Sequence, residues 1–260
     1  SDTRRMIPDL KQLLAQFKEK QIYTIGRVVV FKDPYMASRK PGWAMRAKNG
    51  GIWRDRKGTA WVDPYLSDVW GYTLDIAREA AGLGFDEIQF DYVRFPDNGD
   101  QVDREVAFRN PNGWSKPEAI RRFLQQAKEE LAPLGVWISA DVFGLTPSAS
   151  TDMGIGQTWD EIAQEVDVIS PMVYPSHYRS GTFGIAHPDL EPYAIVQKAV
   201  SDSLGRNRRL LEANKQPAAV RPWLQDFTAT WVKPHRTYGN DEVRAQIEAA
   251  KSLGVDEYLL

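Results

Sequence analysis

The chain contains no cysteine, and this absence removes several classes of chemistry at once. Disulfide bonds, thiolate catalysis, zinc fingers and iron–sulfur ligation all require the thiol group. Histidine is also scarce, since the 3 residues lie far apart and form neither an H-x-H nor an H-E-x-x-H pattern. Those patterns are typical of zinc-dependent enzymes. We therefore predict no metal site and no cofactor.

An excess of positive charge is missing as well. Lys and Arg number 33 and Asp and Glu number 35, which gives a formal net charge of −2 over 260 residues. A nucleic-acid-binding surface usually needs a basic excess, so we predict no nucleic-acid partner. No apolar run approaches the roughly 20 residues of a membrane-spanning helix. Residues Ser1–Arg5 are not followed by the apolar stretch of a signal segment.

Aromatic residues, in contrast, are plentiful. The chain has 9 Trp, 10 Tyr and 10 Phe. Such rings can form the scaffold of a large core, or they can line a groove with flat faces that stack on sugar rings. Composition alone leaves both interpretations open.

Apolar, strand-like segments alternate with helical patterns along the chain. This alternation predicts a parallel sheet covered by helices. Neither a G-x-G-x-x-G pattern nor a P-loop is present, which disfavours a doubly wound nucleotide-binding sheet. The predicted strands are Tyr23–Phe31, Glu87–Asp91, Val136–Val142, Val166–Tyr174, Ala219–Phe227 and Val255–Leu260.

Polar residues gather where these strands end, which favours a (β/α)8 barrel of the TIM type, because active sites of such barrels lie at that face. Only six strands are visible, however, and the chain opens with a helix. We therefore predict a single α/β domain over residues 1–260 that corresponds to the third to eighth βα units of an incomplete barrel. An upstream segment or a second subunit would then complete the barrel.

The segment Gly84–Pro96 is the strongest candidate for a functional site. Because side chains alternate along a strand, Glu87, Gln89 and Asp91 share one face and point into the barrel. Polar groups inside a sheet are costly unless they are paired, and Arg94 is close enough in sequence to pair with Asp91. The segment therefore predicts either a catalytic or substrate-binding carboxylate at Asp91 or a buried structural carboxylate–arginine network.

The string FDEIQFDYVRFP, together with GRVVVFKDP before it and RPWLQDF after it, resembles the glycoside hydrolase family described as DUF4015. That family is similar to TIM-barrel glycosidases, and the resemblance extends from about Ile7 to Leu260. It implies a (β/α)8 barrel, action on carbohydrate, and an extracellular or cell-envelope setting in bacteria. Family members usually carry two further βα units before the segment that matches Ile7, in agreement with the strand count.

Glycosidases need two carboxyl groups that flank the scissile bond. Asp91 and Asp141 end neighbouring predicted strands, and Asp141 shares the inward face with Ser139. By analogy with barrels that carry the nucleophile on the fourth strand, we predict Asp91 as nucleophile or base and Asp141 as acid. Glu87 lies deeper in the barrel and is the reserve carboxylate.

Other inward-facing or strand-end residues are candidates for substrate contacts. Arg27 interrupts an apolar strand, and a buried arginine usually has a carboxylate partner, for which Asp91 or Glu87 would serve. Tyr174 and His177 can hydrogen-bond and stack against a sugar, and Trp223 can act as a sugar platform or as part of the core. The predicted substrate-binding set is Arg27, Glu87, Arg94, Tyr174, His177, Trp223 and Gln225.

Two rival interpretations remain at this point. The domain could bind polysaccharide or cell-wall glycan without cleaving it, or it could be a scaffold whose missing strands come from another chain. An open cleft beside the two carboxyl groups favours hydrolysis, whereas carboxylates locked to Arg27 and Arg94 favour binding or a structural role. The loop Trp53–Asp63 is predicted either as a rim over the groove or as a solvated hairpin anchored by tryptophan.

Overall fold

The computed structural model describes residues 6–260, so the segment Ser1–Arg5, which carries no signal-type apolar stretch, lies outside the described part. Five parallel strands form one sheet in the order β1-β2-β3-β4-β5. The strands are β1 Ile25–Val29, β2 Glu87–Asp91, β3 Trp137–Phe143, β4 Val168–Met172 and β5 Ala219–Val220.

Helices precede, connect and follow the strands. They are α1 Leu10–Glu19, α2 Pro34–Arg39, α3 Ser67–Leu83, α4 Gly99–Glu105, α5 Lys116–Leu131, α6 Trp159–Ile162, α7 Pro192–Glu212 and α8 Asn240–Lys251. The glycines after α3 and before β3 have φ angles of 111° and 73°, at Gly84 and Gly135. This left-handed conformation ends a helix and lets the chain turn tightly into the next strand. Within residues 6–260, no helix is long and apolar enough to cross a membrane.

The alternation predicted for β2 is confirmed. Ile88 and Phe90 are completely buried in the main hydrophobic cluster, where the Phe123 ring of α5 lies 5.3 Å from the Phe90 ring. The polar residues of the strand occupy the opposite, inner face of the sheet. Asp91, the last residue of β2, is paired in register with Val29 of β1. The polar face of the sheet therefore lies on the inside of a curved, barrel-like surface.

The last two predicted strands are shorter than expected. Regular pairing of β5 stops at Val220, and Trp223 then bridges both Met172 of β4 and Leu259. Pro222 has no N–H group to donate, which limits ladder formation at this position. The predicted strand Val255–Leu260 is therefore represented by a single bridge, although Leu224 N–H still donates to the Leu259 carbonyl at 2.8 Å.

The barrel is not closed by the described residues. The order of the sheet leaves β1 at one edge. Four apolar side chains are about half exposed, namely Tyr23, Val29, Trp137 and Leu260. Val29 and Trp137 share the strand faces of Arg27 and Asp141, so apolar surface is left uncovered on the inner side of the sheet.

Candidate active site

An open cleft of about 870 Å³ lies beside the carboxyl ends of the strands. Arg27 of β1 and Asp91 of β2 reach it from the sheet, and Gly144 and Tyr174 reach it from the segments that follow β3 and β4. This placement agrees with the barrel face that was predicted to carry the site. Among residues 6–260, no group of three His, Asp or Glu side chains could hold a metal ion.

One guanidinium group joins the two predicted catalytic carboxylates. Arg27 Nη2 lies 2.8 Å from Asp91 Oδ2, and Arg27 Nε lies 2.9 Å from Asp141 Oδ2. Trp223 Nε1 donates a hydrogen bond of 2.7 Å to the other Asp141 oxygen. The guanidinium carbon of Arg27 also lies 4.7 Å from the centre of the Trp223 ring. The structure thus brings Asp91 and Asp141 together at one point. Asp91 and Glu87 were the carboxylates predicted to pair with Arg27. Arg27 pairs with Asp91, whereas Glu87 pairs with Arg221.

The two carboxylates occupy different environments. Asp91 lines the cleft, whereas the side chain of Asp141 is 0% exposed and makes its contacts with Arg27 and Trp223. Burial raises the pKa of Asp141 to about 7, and the negative charge of Asp91 adds to this increase, while Trp223 and Arg27 oppose it. Asp141 therefore holds a proton over part of the neutral range, unlike an ordinary aspartate.

The backbone after each strand fixes these side chains in place. Tyr92 N–H donates to Asp91 Oδ1 at 2.7 Å, and Tyr92 itself has a φ of 50°, which turns the chain sharply after β2. Beside β3, Gln157 accepts from Phe143 N–H at 2.9 Å and donates to the Asp141 carbonyl at 3.2 Å. Gln157 was not among the predicted site residues. It lies in the connection between β3 and α6, whose path the alternation pattern does not define.

Glu87 belongs to a separate, closed network below the cleft. Both terminal nitrogens of Arg221 lie 3.0 Å from its carboxylate, Tyr23 Oη donates to it at 2.8 Å, and Ser139 Oγ also donates to it. Glu87 is 0% exposed, and it is not among the residues that line the cleft. Arg221 was not among the predicted site residues. The available signal was its alternation with Trp223 and Gln225, which places all three on one strand face.

The predicted pairing of Arg94 with Asp91 is wrong. Arg94 Nη1 donates to the Phe95 carbonyl at 2.9 Å, and the carboxylate paired with it is that of Asp97, at 4.0 Å. The left-handed turn at Tyr92 carries the chain away from Asp91, so Arg94 lines a different wall of the cleft.

Of the other predicted substrate contacts, Tyr174 and His177 line the cleft, but Trp223 and Gln225 do not. One face of the Trp223 ring is covered by Arg27. Gln225 is buried and accepts a 3.0 Å hydrogen bond from Ser176 N–H, so it supports the loop that carries Tyr174 and His177.

The segment Trp53–Asp63 proves to be both a rim and an anchored hairpin. Trp61 is buried and donates through Nε1 to Asp55 at 3.0 Å, and Trp53 donates to Glu105 at 2.8 Å. Residues 53–57 nevertheless line the cleft. The hairpin is joined by antiparallel bridges between Ala44 and Val62, Arg46 and Ile52, and Arg54 and Ala60.

Gly144, at the floor of the cleft, has no room for a side chain. A Cβ atom there would lie 2.3 Å from the Met172 carbonyl oxygen and 2.6 Å from Tyr178 Oη. We expect Gly144→Ala to lower the free energy of unfolding by about 1–3 kcal/mol, as overpacking does. Denaturant unfolding measures this change.

The matched control is Gly205→Ala inside α7. No atom lies within 4 Å of a Cβ placed there, and alanine should stabilise the helix by about 0.5–1 kcal/mol. Equal effects of the two substitutions would contradict the steric argument.

The helix-covered parallel sheet and the polar cleft at its carboxyl end define a TIM-barrel-like α/β fold. The glycoside hydrolase domain of PgaB (BpsB) from Bordetella bronchiseptica superposes with a TM-score of 0.63 at 13% identity, over 95% of this chain and 72% of that chain. The α-galactosidase TtGalA from Thermus thermophilus gives a TM-score of 0.51 at 12% identity, over 96% of this chain and 46% of that chain. These similarities concern the fold.

The family that matches residues 1–260 is DUF4015, described as "Putative glycosyl hydrolase domain", and the chain belongs to it. The predicted resemblance is therefore confirmed. A protein from Ruminiclostridium thermocellum ATCC 27405, described as hypothetical, is 41% identical over 54% of this chain and 75% of that chain, with a TM-score of 0.47. No protein of curated function matches the sequence.

Proposed function

We propose that this domain cleaves a glycosidic bond in a poly- or oligosaccharide with Asp91 and Asp141 as its catalytic carboxyl groups. The observation that carries the proposal is the guanidinium of Arg27, which joins a carboxylate that lines the cleft to a buried one. Environments that separate the pKa values of two neighbouring carboxyl groups are the means by which glycosidases assign acid and base roles.

The two roles follow from the surroundings of each group. Asp91 is the nucleophile or base, because it lines the cleft and its oxygen is held by Tyr92 N–H and Arg27. Asp141 is the acid, because burial raises its pKa to about 7 and so keeps a proton available for the leaving oxygen. Arg27 covers Asp141 but is itself 41% exposed, so substrate can displace its side chain toward solvent.

Binding without cleavage is the second candidate, and the complete burial of Asp141 favours it. If Arg27 stays in place, the Asp141 proton cannot reach a glycosidic oxygen. Incubation of the domain with a panel of polysaccharides separates the two functions through the release of new reducing ends. Release that disappears in Asp91→Asn supports hydrolysis, whereas saturable binding with no release supports the binding function and overturns the hydrolase.

The pH dependence of activity tests the role of Asp141. A general acid works only while protonated, so we expect kcat/KM to fall as the pH rises through about 7, the value to which burial raises the pKa of Asp141. Asp141→Asn should slow turnover and remove this alkaline limb. The rate loss should be smallest for aryl glycosides, whose leaving groups need little protonation. An alkaline limb that persists unchanged in Asp141→Asn would show that another group is the acid.

We also propose that further strands cover the open side of the barrel, supplied by an upstream segment or a second subunit. The support is the exposed apolar surface at Tyr23, Val29, Trp137 and Leu260. The chain alone should bind a hydrophobic dye, and extension by the upstream segment or dimerisation seen by light scattering should suppress that binding. Absence of dye binding by a monomer would contradict the idea.

We also propose an extracellular or cell-envelope setting in bacteria, because polymeric glycans are too large to cross a membrane intact.

A further inference from the structure

The walls of the cleft are more basic than the chain as a whole. Six basic and four acidic side chains line it, which gives the walls a formal charge of +2, whereas the whole chain has a net charge of −2. The basic residues are Arg27, Lys32, Arg54, Arg56, Lys57 and Arg94. A cleft with walls of one sign concentrates ligands of the other sign.

Two of the four acidic residues of the walls, Asp55 and Glu105, are occupied by donors within the protein. Asp55 accepts from Trp61 Nε1 at 3.0 Å and from two backbone N–H groups, those of Lys57 and Thr59, at 2.9 Å each. Glu105 accepts from Trp53 Nε1 at 2.8 Å and from Gln101 Nε2 at 2.7 Å. Asp55 Oδ2 also lies 3.8 Å from Lys32 Nζ and balances part of its charge, so the two carboxylates have little remaining capacity to pair with the other basic side chains.

Several of the basic residues bond to neutral acceptors instead. Arg54 Nη1 donates to the Gly58 carbonyl at 3.0 Å, and Arg56 Nη2 donates to Gln101 Oε1 at 3.2 Å. Hydrogen bonds to neutral oxygens satisfy donors but leave the positive charge uncancelled. The rim of the cleft formed by the hairpin Trp53–Asp63 is therefore electropositive.

Arg94 is the most unusual of these cations, because it is buried without a close carboxylate. The residue is only 8% exposed. In the described part of the chain, Arg94 Nη1 donates a hydrogen bond to the Phe95 carbonyl. The carboxylate paired with Arg94 belongs to Asp97, lies 4.0 Å away and is 62% exposed. A guanidinium has five N–H donors, and a buried charge is costly unless it is paired.

Aromatic rings hold this guanidinium at the wall of the cleft. Its central carbon lies 4.5 Å from the centre of the Phe143 ring and 5.2 Å from those of Trp61 and Tyr92. Lys32 Nζ lies over the same two rings, 4.9 Å from the centre of Tyr92 and 5.7 Å from that of Trp61. Two cations thus share one aromatic wall, and Tyr92 directly follows Asp91 in the chain.

From these contacts we infer that Arg94 binds an anionic substituent of the glycan, a carboxylate or a sulfate ester, and that the substrate class is an acidic poly- or oligosaccharide. The inference rests on the proposed function in one respect, that the cleft receives a glycan. A guanidinium matches the planar pair of oxygens on a carboxylate, and it matches two oxygens of a sulfate equally well. Lys32 places a second cation over the same rings, and its charge is balanced in part by Asp55 at 3.8 Å.

The test compares oligosaccharides that differ only in charge. Calorimetric binding is measured for oligogalacturonides and their methyl esters, and for O-sulfated oligosaccharides and their desulfated counterparts. The Asp91→Asn chain is used so that no bond is cleaved. We expect the charged member of at least one pair to bind at least tenfold more tightly, with an affinity that falls as salt is added. The pair that shows the preference identifies the substituent as carboxylate or sulfate.

Variants of Arg94 assign the preference to this residue. Arg94→Gln should abolish the difference between charged and neutral ligands, and Arg94→Lys should keep part of it. The matched control is Arg122→Gln on α5, where the guanidinium also lies over a ring, 4.9 Å from the centre of Trp114, but outside the cleft. It should leave the preference unchanged. If Arg94→Gln does not fold, the comparison of charged and neutral ligands still decides whether the substrate is acidic, and the reduced preference of Arg94→Lys assigns it to Arg94.

The outcomes also separate this inference from the proposed function. If no charged ligand binds better than its neutral counterpart, or none binds at all, the anion site is wrong, whereas reducing-end release from a neutral glycan would leave the hydrolase intact. Conversely, a charge preference that depends on Arg94, in a protein that releases no reducing ends from the preferred ligand, would keep the anion site and overturn the hydrolase.

Discussion

Turnover of a glycan substrate is expected to fall by at least about a thousandfold when Asp91 is replaced by Asn. The substitution keeps the shape of the side chain and an oxygen that can accept from Tyr92 N–H. It removes the negative charge, without which the group can neither attack the anomeric carbon nor activate water. The loss should appear in kcat measured by reducing-end release, with substrate affinity little changed.

The fold should survive this substitution. Arg27 loses one partner, but it keeps Asp141 at 2.9 Å and is 41% exposed, so we expect a stability loss of only about 1 kcal/mol. Loss of the Asp91 charge should also lower the pKa of Asp141, because that charge helps to raise it. Asp226→Asn is the control, since Asp226 is exposed near the same end of the sheet and is not part of the cleft lining. Full specific activity in the folded Asp91→Asn protein would remove Asp91 from the mechanism.

The largest effect on stability is expected at Glu87. Glu87→Gln removes the charge that faces both terminal nitrogens of Arg221 in a site with almost no solvent access. Loss of one partner from a buried ion pair costs about 3–5 kcal/mol. The remaining partner of Arg221 is Glu257 at 3.1 Å, whose side chain is 74% exposed and therefore compensates little. For a domain of this size, we expect the melting temperature to fall by roughly 10 °C. Specific activity of the folded fraction should be retained, because Glu87 does not line the cleft.

Glu130→Gln provides the matched control for this experiment. Glu130 pairs with Arg78 between α3 and α5, and both side chains are partly exposed. Pairs of this kind contribute about 0–1 kcal/mol, so the melting temperature should change little. An unchanged melting temperature for Glu87→Gln together with a large loss of turnover would contradict the structural role and assign Glu87 a role in catalysis.

The parts of this fold that depend on local pattern could be predicted from the sequence. Alternation along β2 placed Glu87 and Asp91 on the inner face, and the positions of the strands placed Asp91 and Asp141 on neighbouring strands. The cluster of polar residues at the strand ends then located the cleft. These features follow from the repeat of two residues in a strand and from the connection rules of parallel sheets.

The pairing of side chains across the site could not be predicted in the same way. Which carboxylates Arg27 reaches depends on the register between strands that are joined by long connections. The partner of Arg94 depends on a left-handed residue, Tyr92, and a non-glycine residue in that conformation gives no clear signal in sequence. The pairing of Arg221 with Glu87 joins two strands that are not neighbours in the sheet, and no local pattern defines such a contact. Long loops set the shape of the cleft, and their path is not periodic.

One of the residues that lower the pKa of Asp141 lies on the strand at one edge of the sheet. Arg27 opposes the rise in pKa that burial causes at Asp141, and it lies on β1, which within residues 6–260 pairs with β2 alone. Any molecule that pairs with this edge and shifts β1 also changes the proton affinity of Asp141. Thermodynamic reciprocity requires the converse, so protonation of Asp141 must alter the affinity of the edge for that molecule by the same factor. Binding at the β1 edge and protonation of Asp141 are then linked equilibria.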